Sequence, residues 1–166
     1  MSSATLADLA GLQADIALRL TPKPPEYLIG KEILPLRHGV YGSKKYLEKT
    51  RTVEKIILWK NERAMPEWVT DHFKGAEVVA RATEVMTMAD AVKNHMGLAR
   101  MPCYVADAEP SLRRLDVPLT PSNWGVWVLS HVDLRSTARV RVCREFLVNT
   151  IQQQQGLIEG LESTYY

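Results

Sequence analysis

The stretch ATEVMTMADAVKNHMGLARMPCYVADAEPSLRRL, residues 82–115, decides the fold. Val85, Met88, Ala89 and Val92 recur at the three-and-four spacing that sets them on one face of a helix. Thr83 and Thr87 offer oxygens to the amides of its first turn, while Asn94, His95 and Gly97 suit a helix end that passes through left-handed backbone. Leu98-Ala99-Arg100-Met101 is too short for a second helix and stops at Pro102, so it reads as a short strand. Helix, glycine turn and strand together make half of an α/β unit.

The same alternation extends outward. Ahead of the helix, 76–82 reads as a strand. Pro66 opens a helix that turns Trp68, Val69, His72 and Phe73 inward and stops at Gly75, and Lys55-Ile56-Ile57-Leu58-Trp59 is an apolar run of strand length. Gly42-Ser43 offers a turn and an N-cap for KKYLEK, and 27–41 holds two strand-like runs around Pro35. The prolines of TPKPPE make a stiff loop after Ala14–Leu20, itself apolar enough for a buried strand, and Leu6, Leu9 and Leu12 suit a short helix over 4–12. Beyond 102, a helical turn ends near Pro110, and Leu112–Val117 alternates as an edge strand does. Gly125–Leu129 resumes the sheet. From Ser136 a helix turns Val140, Cys143, Leu147 and Ile151 inward, and QQQQGLIEGLESTYY frays or docks loosely. Strands alternating with helices predict an α/β fold with largely parallel sheets.

With 166 residues, 46% hydrophobic and 24% charged, the chain suits one globular domain with a real core. A net charge of +2 is too small to argue for nucleic acid, which needs a clustered basic face. No apolar run of about 18 residues is long enough to span a membrane, and Met1-Ser2-Ser3-Ala4 lacks a signal peptide's basic start, so the expected setting is cytoplasmic, with no membrane partner. Cys103 and Cys143 read as small buried hydrophobes. His38, His72, His95 and His131 have no metal-ligand spacing, no nucleophile sits at a strand-to-helix elbow, and no phosphate loop or paired carboxylates occur. The expectation is no enzyme, no metal and no cofactor.

The helix running into Gly-Leu-Ala-Arg-Met-Pro-Cys, followed by Asp-Ala-Glu-Pro-x-Leu-x-Arg-Leu, resembles the effector-binding domain of LysR-type transcriptional regulators. Three more stretches fall in that family's order: ADIALRLT at 14–21, LRHGVYGSKKYLEK at 36–49 with its Tyr-x-Ser-x-x-Tyr-Leu, and WVLSHVDLRSTARVRVCREFL at 127–147. The resemblance implies an α/β fold of two Rossmann-like lobes of the type 2 periplasmic-binding-protein kind. Residues 1–35 and 124–152 would form one lobe and 43–117 the other, with crossovers near 36–41 and 115–124 and a tail at 153–166. It also implies that a helix-turn-helix precedes such a domain. None is legible before Ala14, so the chain reads as a fragment or truncation with its first lobe incomplete.

The resemblance further implies a small-molecule effector, held between lobes at strand ends and helix starts. Arg19 and Thr21 end the first strand, Arg19 as a cation for a carboxylate. Tyr41 stands on a crossover. Thr83 and Glu84 open the central helix, with Val85, Met101 and Pro102 as walls. Many relatives place a small polar residue where Glu84 stands, and this acid either pairs with Arg19 or selects an amine, which leaves carboxylates and amines both open as effectors. The expected partners are that effector, further copies of the chain in a homo-oligomer, and DNA only through a helix-turn-helix domain missing here. A stand-alone small-molecule binding protein of the same fold is the alternative.

Overall fold

Lys55–Trp59 (β4) is a strand because its apolar run is rich in β-branched residues, and Ile56, Ile57 and Leu58 are almost wholly shielded from water. The computed structural model describes residues 14–49, 52–134 and 136–162. Among these, two units form, one from 14–36 with 123–155 and one from 37–122 with 156–162. The helix expected over 4–12 lies outside the described residues.

The first unit holds Ile16–Thr21 (β1), Leu28–Pro35 (β2) and Gly125–His131 (β8) in a three-stranded sheet of order β1-β8-β2, with both neighbours antiparallel to β8. Ala138–Gln152 (α5) packs on this sheet. β1 is an edge strand rather than a buried one. Among the described residues it pairs only with β8, and Leu18 and Leu20 are 52% and 38% exposed while Ala17, Arg19 and Thr21 take the better-covered face. Along α5 the inward row is Val140 and Ile151, with Leu147 half-buried. Cys143, expected inside, is exposed. At 3.6 residues per turn it stands about 70° off the Val140–Ile151 row.

The second unit carries His38–Ser43 (β3), β4, Glu77–Ala82 (β5), Leu98–Pro102 (β6) and Leu112–Leu115 (β7) in the order β5-β4-β6-β3-β7. β4 is parallel to β5 and β6, but β3 runs antiparallel to β6 and β7. The first sheet is therefore antiparallel and the second mixed, neither largely parallel: a hydrophobic run has the same composition in either direction, so direction was not in the pattern read. β7 is the edge strand expected of its alternation.

Lys44–Lys49 (α1) begins where Ser43 Oγ accepts a hydrogen bond from Tyr46 N at 3.2 Å, so Ser43 caps as expected although Gly42 and Ser43 belong to β3 rather than to a turn. Glu67–His72 (α2) follows Pro66 and buries Trp68 and Val69, while Phe73 is half-buried and His72 exposed. Val85–Lys93 (α3) buries Met88, Ala89 and Val92. Its N-cap is Glu84, with no side-chain capping bond, and Thr83 stands outside. The chain leaves α3 through His95 at φ 64° and Gly97 at φ 155°, the left-handed exit its residues suggested. Cys103–Ala106 (α4) closes the turn after β6.

The described part of the tail, through Gly160, is held rather than frayed. After Gln155–Ile158 (α6), Arg37 N donates to Ile158 O at 3.3 Å and Arg114 Nη1 to Gly160 O at 3.0 Å, and Gly160 is buried.

One ion pair ties α3 to the approach of β7. Lys93 Nζ lies 2.8 Å from Glu109, and Lys93 first, then Ser111, holds the Glu109 carboxyl down at about 2. Its folded pKa lies below the ordinary 4.5, so its stabilisation is fully present above pH 4.5 and is lost as pH falls toward 2. The stability gap between the protein and Glu109→Gln, measured by urea unfolding, is expected to narrow across that window. It should be small throughout, because the pair is open to solvent. A gap that stays constant with pH would dissociate it from Glu109 ionisation.

Candidate functional site

Strands β5 and β6 run parallel, so their C-terminal ends lie at one edge of the second sheet, where α/β folds place ligands. Thr83, exposed, and Glu84, half-buried, follow β5, and Val85, half-buried, opens α3. No side chain caps that helix start, so its first amides keep the capacity to face an anion or a polar ligand group. Pro102 ends β6 and is buried.

Tyr41 and Met101 meet in one core cluster with Met88, Ala99 and Cys103, at 1% and 0% exposure. The Tyr41 hydroxyl donates to Asp107 Oδ1 at 2.7 Å. Burial, reinforced by Cys103 and Asp107, raises the Tyr41 pKa far above the usual phenol value, so the ring stays neutral. Cys103 is likewise pushed up, chiefly by burial. Tyr41 is thus a fixed, hydrogen-bonded core residue rather than an exposed handle.

Arg19 and Thr21 belong to the first unit. Arg19 is half-buried opposite Trp127, and Thr21 Oγ1 closes the loop start by donating to Lys23 O at 3.0 Å and accepting from Lys23 N at 3.3 Å. The residues singled out in the sequence thus fall in both units. Within the second, Tyr41 and Met101 are brought together in the core, while Thr83, Glu84 and Val85 adjoin in sequence.

A basic pocket went unnoticed in the sequence. Arg37, His38, Arg100, Arg114 and the segment 117–122 line a space of about 130 Å³ in the second unit. Arg37 precedes β3, Arg100 is the third residue of β6 and Arg114 the third of β7, so strand pairing gathers what the chain separates. Desolvation lowers the Arg100 pKa, with Glu62 pulling weakly the other way. The available signal was a lone arginine inside the apolar strand LARMP and an arginine pair in LRRL.

Among the described residues no group of three or more His, Cys, Asp or Glu could hold a metal ion, and no helix is long and apolar enough to cross a membrane.

Residues 1–152 match the family model described as the LysR substrate binding domain. The chain is 25% identical over 158 residues to the Klebsiella pneumoniae protein named "Probable HTH-type transcriptional regulator LtrA", covering 82% of this chain and 50% of that protein. It thus spans about half the length of that curated relative. Among solved structures, the regulatory domain of CrgA from Neisseria meningitidis superposes with a TM-score of 0.71 at 18% identity, covering 89% of this chain and 80% of that one. The effector domain of AmpR from Pseudomonas aeruginosa gives 0.65 at 15% identity, covering 89% and 76%. Both likenesses are of fold, and they give this chain the α/β, periplasmic-binding-protein-like architecture of LysR regulatory domains. With the family model matched over nine-tenths of its length, the chain belongs to the LysR substrate-binding domain family.

Proposed function

We propose that this domain senses a small metabolite for a LysR-type transcription regulator acting in the cytoplasm, that it oligomerises with copies of itself, and that it reaches DNA only through an attached helix-turn-helix region. The observation that carries the reading is the family match over residues 1–152, with relatives named as transcriptional regulators in support. A ligand acts by binding one arrangement of the domain better than another, and so biases the DNA-binding parts joined to it.

The ligand is a small organic molecule with one carboxylate or amine end. Arg19 and Thr21 serve a carboxylate, Glu84 an amine, and Thr83 a polar group at the start of α3, with Tyr41, Val85, Met101 and Pro102 as walls. Many-hydroxyl sugars and nucleotides need more donors than this set provides. Calorimetry with a panel of small carboxylates and amines tests it on the whole regulator and its Arg19→Ala variant. Loss of a charge-assisted hydrogen bond is expected to cost about 1.5–3 kcal/mol, or roughly ten- to a hundredfold in affinity for a carboxylate. A carboxylate ligand that binds Arg19→Ala as tightly as the unaltered protein removes Arg19 from the site.

A further inference from the structure

Among the described residues, His95 is the one non-glycine residue with left-handed backbone, at φ 64°. A Cβ crowds the following carbonyl there, so the conformation persists only where the surroundings hold it. Two bonds hold it here. His95 N donates to Val92 O at 2.9 Å, and its ring Nδ1 lies 2.7 Å from the Oγ of Ser43, 52 residues earlier in the chain. Ser43 ends β3 and is 1% exposed, and its Oγ also accepts from Tyr46 N in the first turn of α1. The pair therefore ties the exit of α3 to the start of α1, two elements well separated in sequence.

The partners of Ser43 decide where the proton lies. Its oxygen receives Tyr46 N, and its hydroxyl proton has one acceptor among the described residues, His95 Nδ1. An accepting Nδ1 is a bare nitrogen, so the imidazole is neutral and carries its hydrogen on Nε2. Protonation turns Nδ1 into a donor. The buried hydroxyl proton is then left without an acceptor, the costly state for a polar group out of water. The contact thus favours the neutral ring, and its stabilisation is present above the imidazole range and lost as pH falls through it. The carbonyls ending α3 attract a cation and so pull the other way, but His95 is exposed and solvent screens that attraction. The charged groups on the elements around it are Asp90 and Lys93 of α3, Lys44, Lys45 and Glu48 of α1, Lys55 and Glu77 at the starts of β4 and β5, and Arg113 of β7. Lys93 is engaged by Glu109 and Lys44 by Glu48, and among the described residues no acid pairs with the His95 ring.

We propose that Ser43 and His95 form a proton-sensitive clasp, closed at neutral pH and released in mild acid, that sets how firmly the end of α3 is tied to the start of α1. It uses none of the residues assigned to the effector, and it stands or falls separately from that reading.

The test is amide hydrogen exchange of the whole chain, read at Met96, whose N donates to Ala91 O at 3.2 Å where α3 ends. Corrected for the intrinsic effect of pH on exchange, protection at Met96 should fall roughly tenfold between about pH 7.5 and about pH 5.5, while Leu58 in the core of β4 keeps its protection. His95→Asn is the principal variant. It retains a residue that tolerates left-handed backbone and removes the titrating ring, so protection at Met96 should no longer respond to pH. Ser43→Ala keeps the ring but removes the hydroxyl, and the fall should vanish there too. Nitrogen chemical shifts of the His95 ring at neutral pH should show a bare Nδ1 and hydrogen on Nε2. The proposal is overturned if Met96 keeps its protection through that interval in the unaltered protein, or if protection falls as far in His95→Asn or Ser43→Ala. Hydrogen found on Nδ1 at neutral pH would also overturn it, since Ser43 would then be the acceptor and protonation would leave the contact intact.

Discussion

Gly97→Ala should destabilise the domain by about 3–4 kcal/mol, a large share of the 5–15 kcal/mol typical of a folded domain. Two effects add. The backbone there sits at φ 155°, a region that side chains rarely enter. A Cβ at Gly97 would also stand 2.4 Å from Lys55 O and 2.7 Å from its carbonyl carbon, atoms of the β4 backbone that cannot swing aside as a side-chain tip can. Relief would require β4 and the start of β6 to part, and these strands pair at Ile56 and Leu98. Gly75→Ala provides the contrast. It has φ 84° but nothing within 4 Å of an added Cβ, so it should cost only the backbone strain, about 1 kcal/mol. Urea unfolding of the two variants, side by side, measures the difference. Equal losses would mean that the approach to Lys55 is not what requires glycine at 97.

Met88→Ala should cost about 2–5 kcal/mol, while Met86→Ala, two residues away in the same helix, should cost under about 0.5 kcal/mol. Met88 is 0% exposed and packs with Tyr41, Ile57, Ala99 and Met101, whereas Met86 is 59% exposed. The helix propensity change is the same at both positions, so their difference isolates core packing from helix formation. A void left by Met88 has rigid sheet on one side, which limits collapse around it. Comparable losses in the two variants would show that the α3 face has been turned the wrong way.

The turning of that face was legible in the sequence, because Met88, Ala89 and Val92 repeat at helical spacing and nothing else competes for them. β4 was equally plain, its five residues bounded by charged and polar neighbours. What sequence left open was direction and company. Strands β3 and β7 carry the same kinds of residues whether they run with β6 or against it, so the mixed sheet emerges only from pairing. Cys143 looks inward on a helix read alone, but the covered row of α5 runs through Val140 and Ile151 and leaves it exposed. For the residues proposed to meet an effector the strand ends and the helix start were predictable, but the partner of the Tyr41 hydroxyl is Asp107, 66 residues away in sequence. The arginine pocket escaped notice for a related reason. Its cations are separated by 63 and 14 positions, and each alone resembles a solvated charge.

The docking of Gly160 makes the second unit discontinuous, and that governs how it can be separated from the rest. A Cβ at this glycine would come within 2.7 Å of Cys103 Sγ and 2.8 Å of Arg114 Nη1, so the returning peptide is a fitted plug over the end of β7 and α4. The polypeptide changes units three times, after residues 36, 122 and 155. A gene segment encoding 37–122 alone would therefore yield a body with its plug left behind. An isolated version is better built by splicing 156–162 back on through a short linker, so that the arginine at 114 regains the carbonyl it holds.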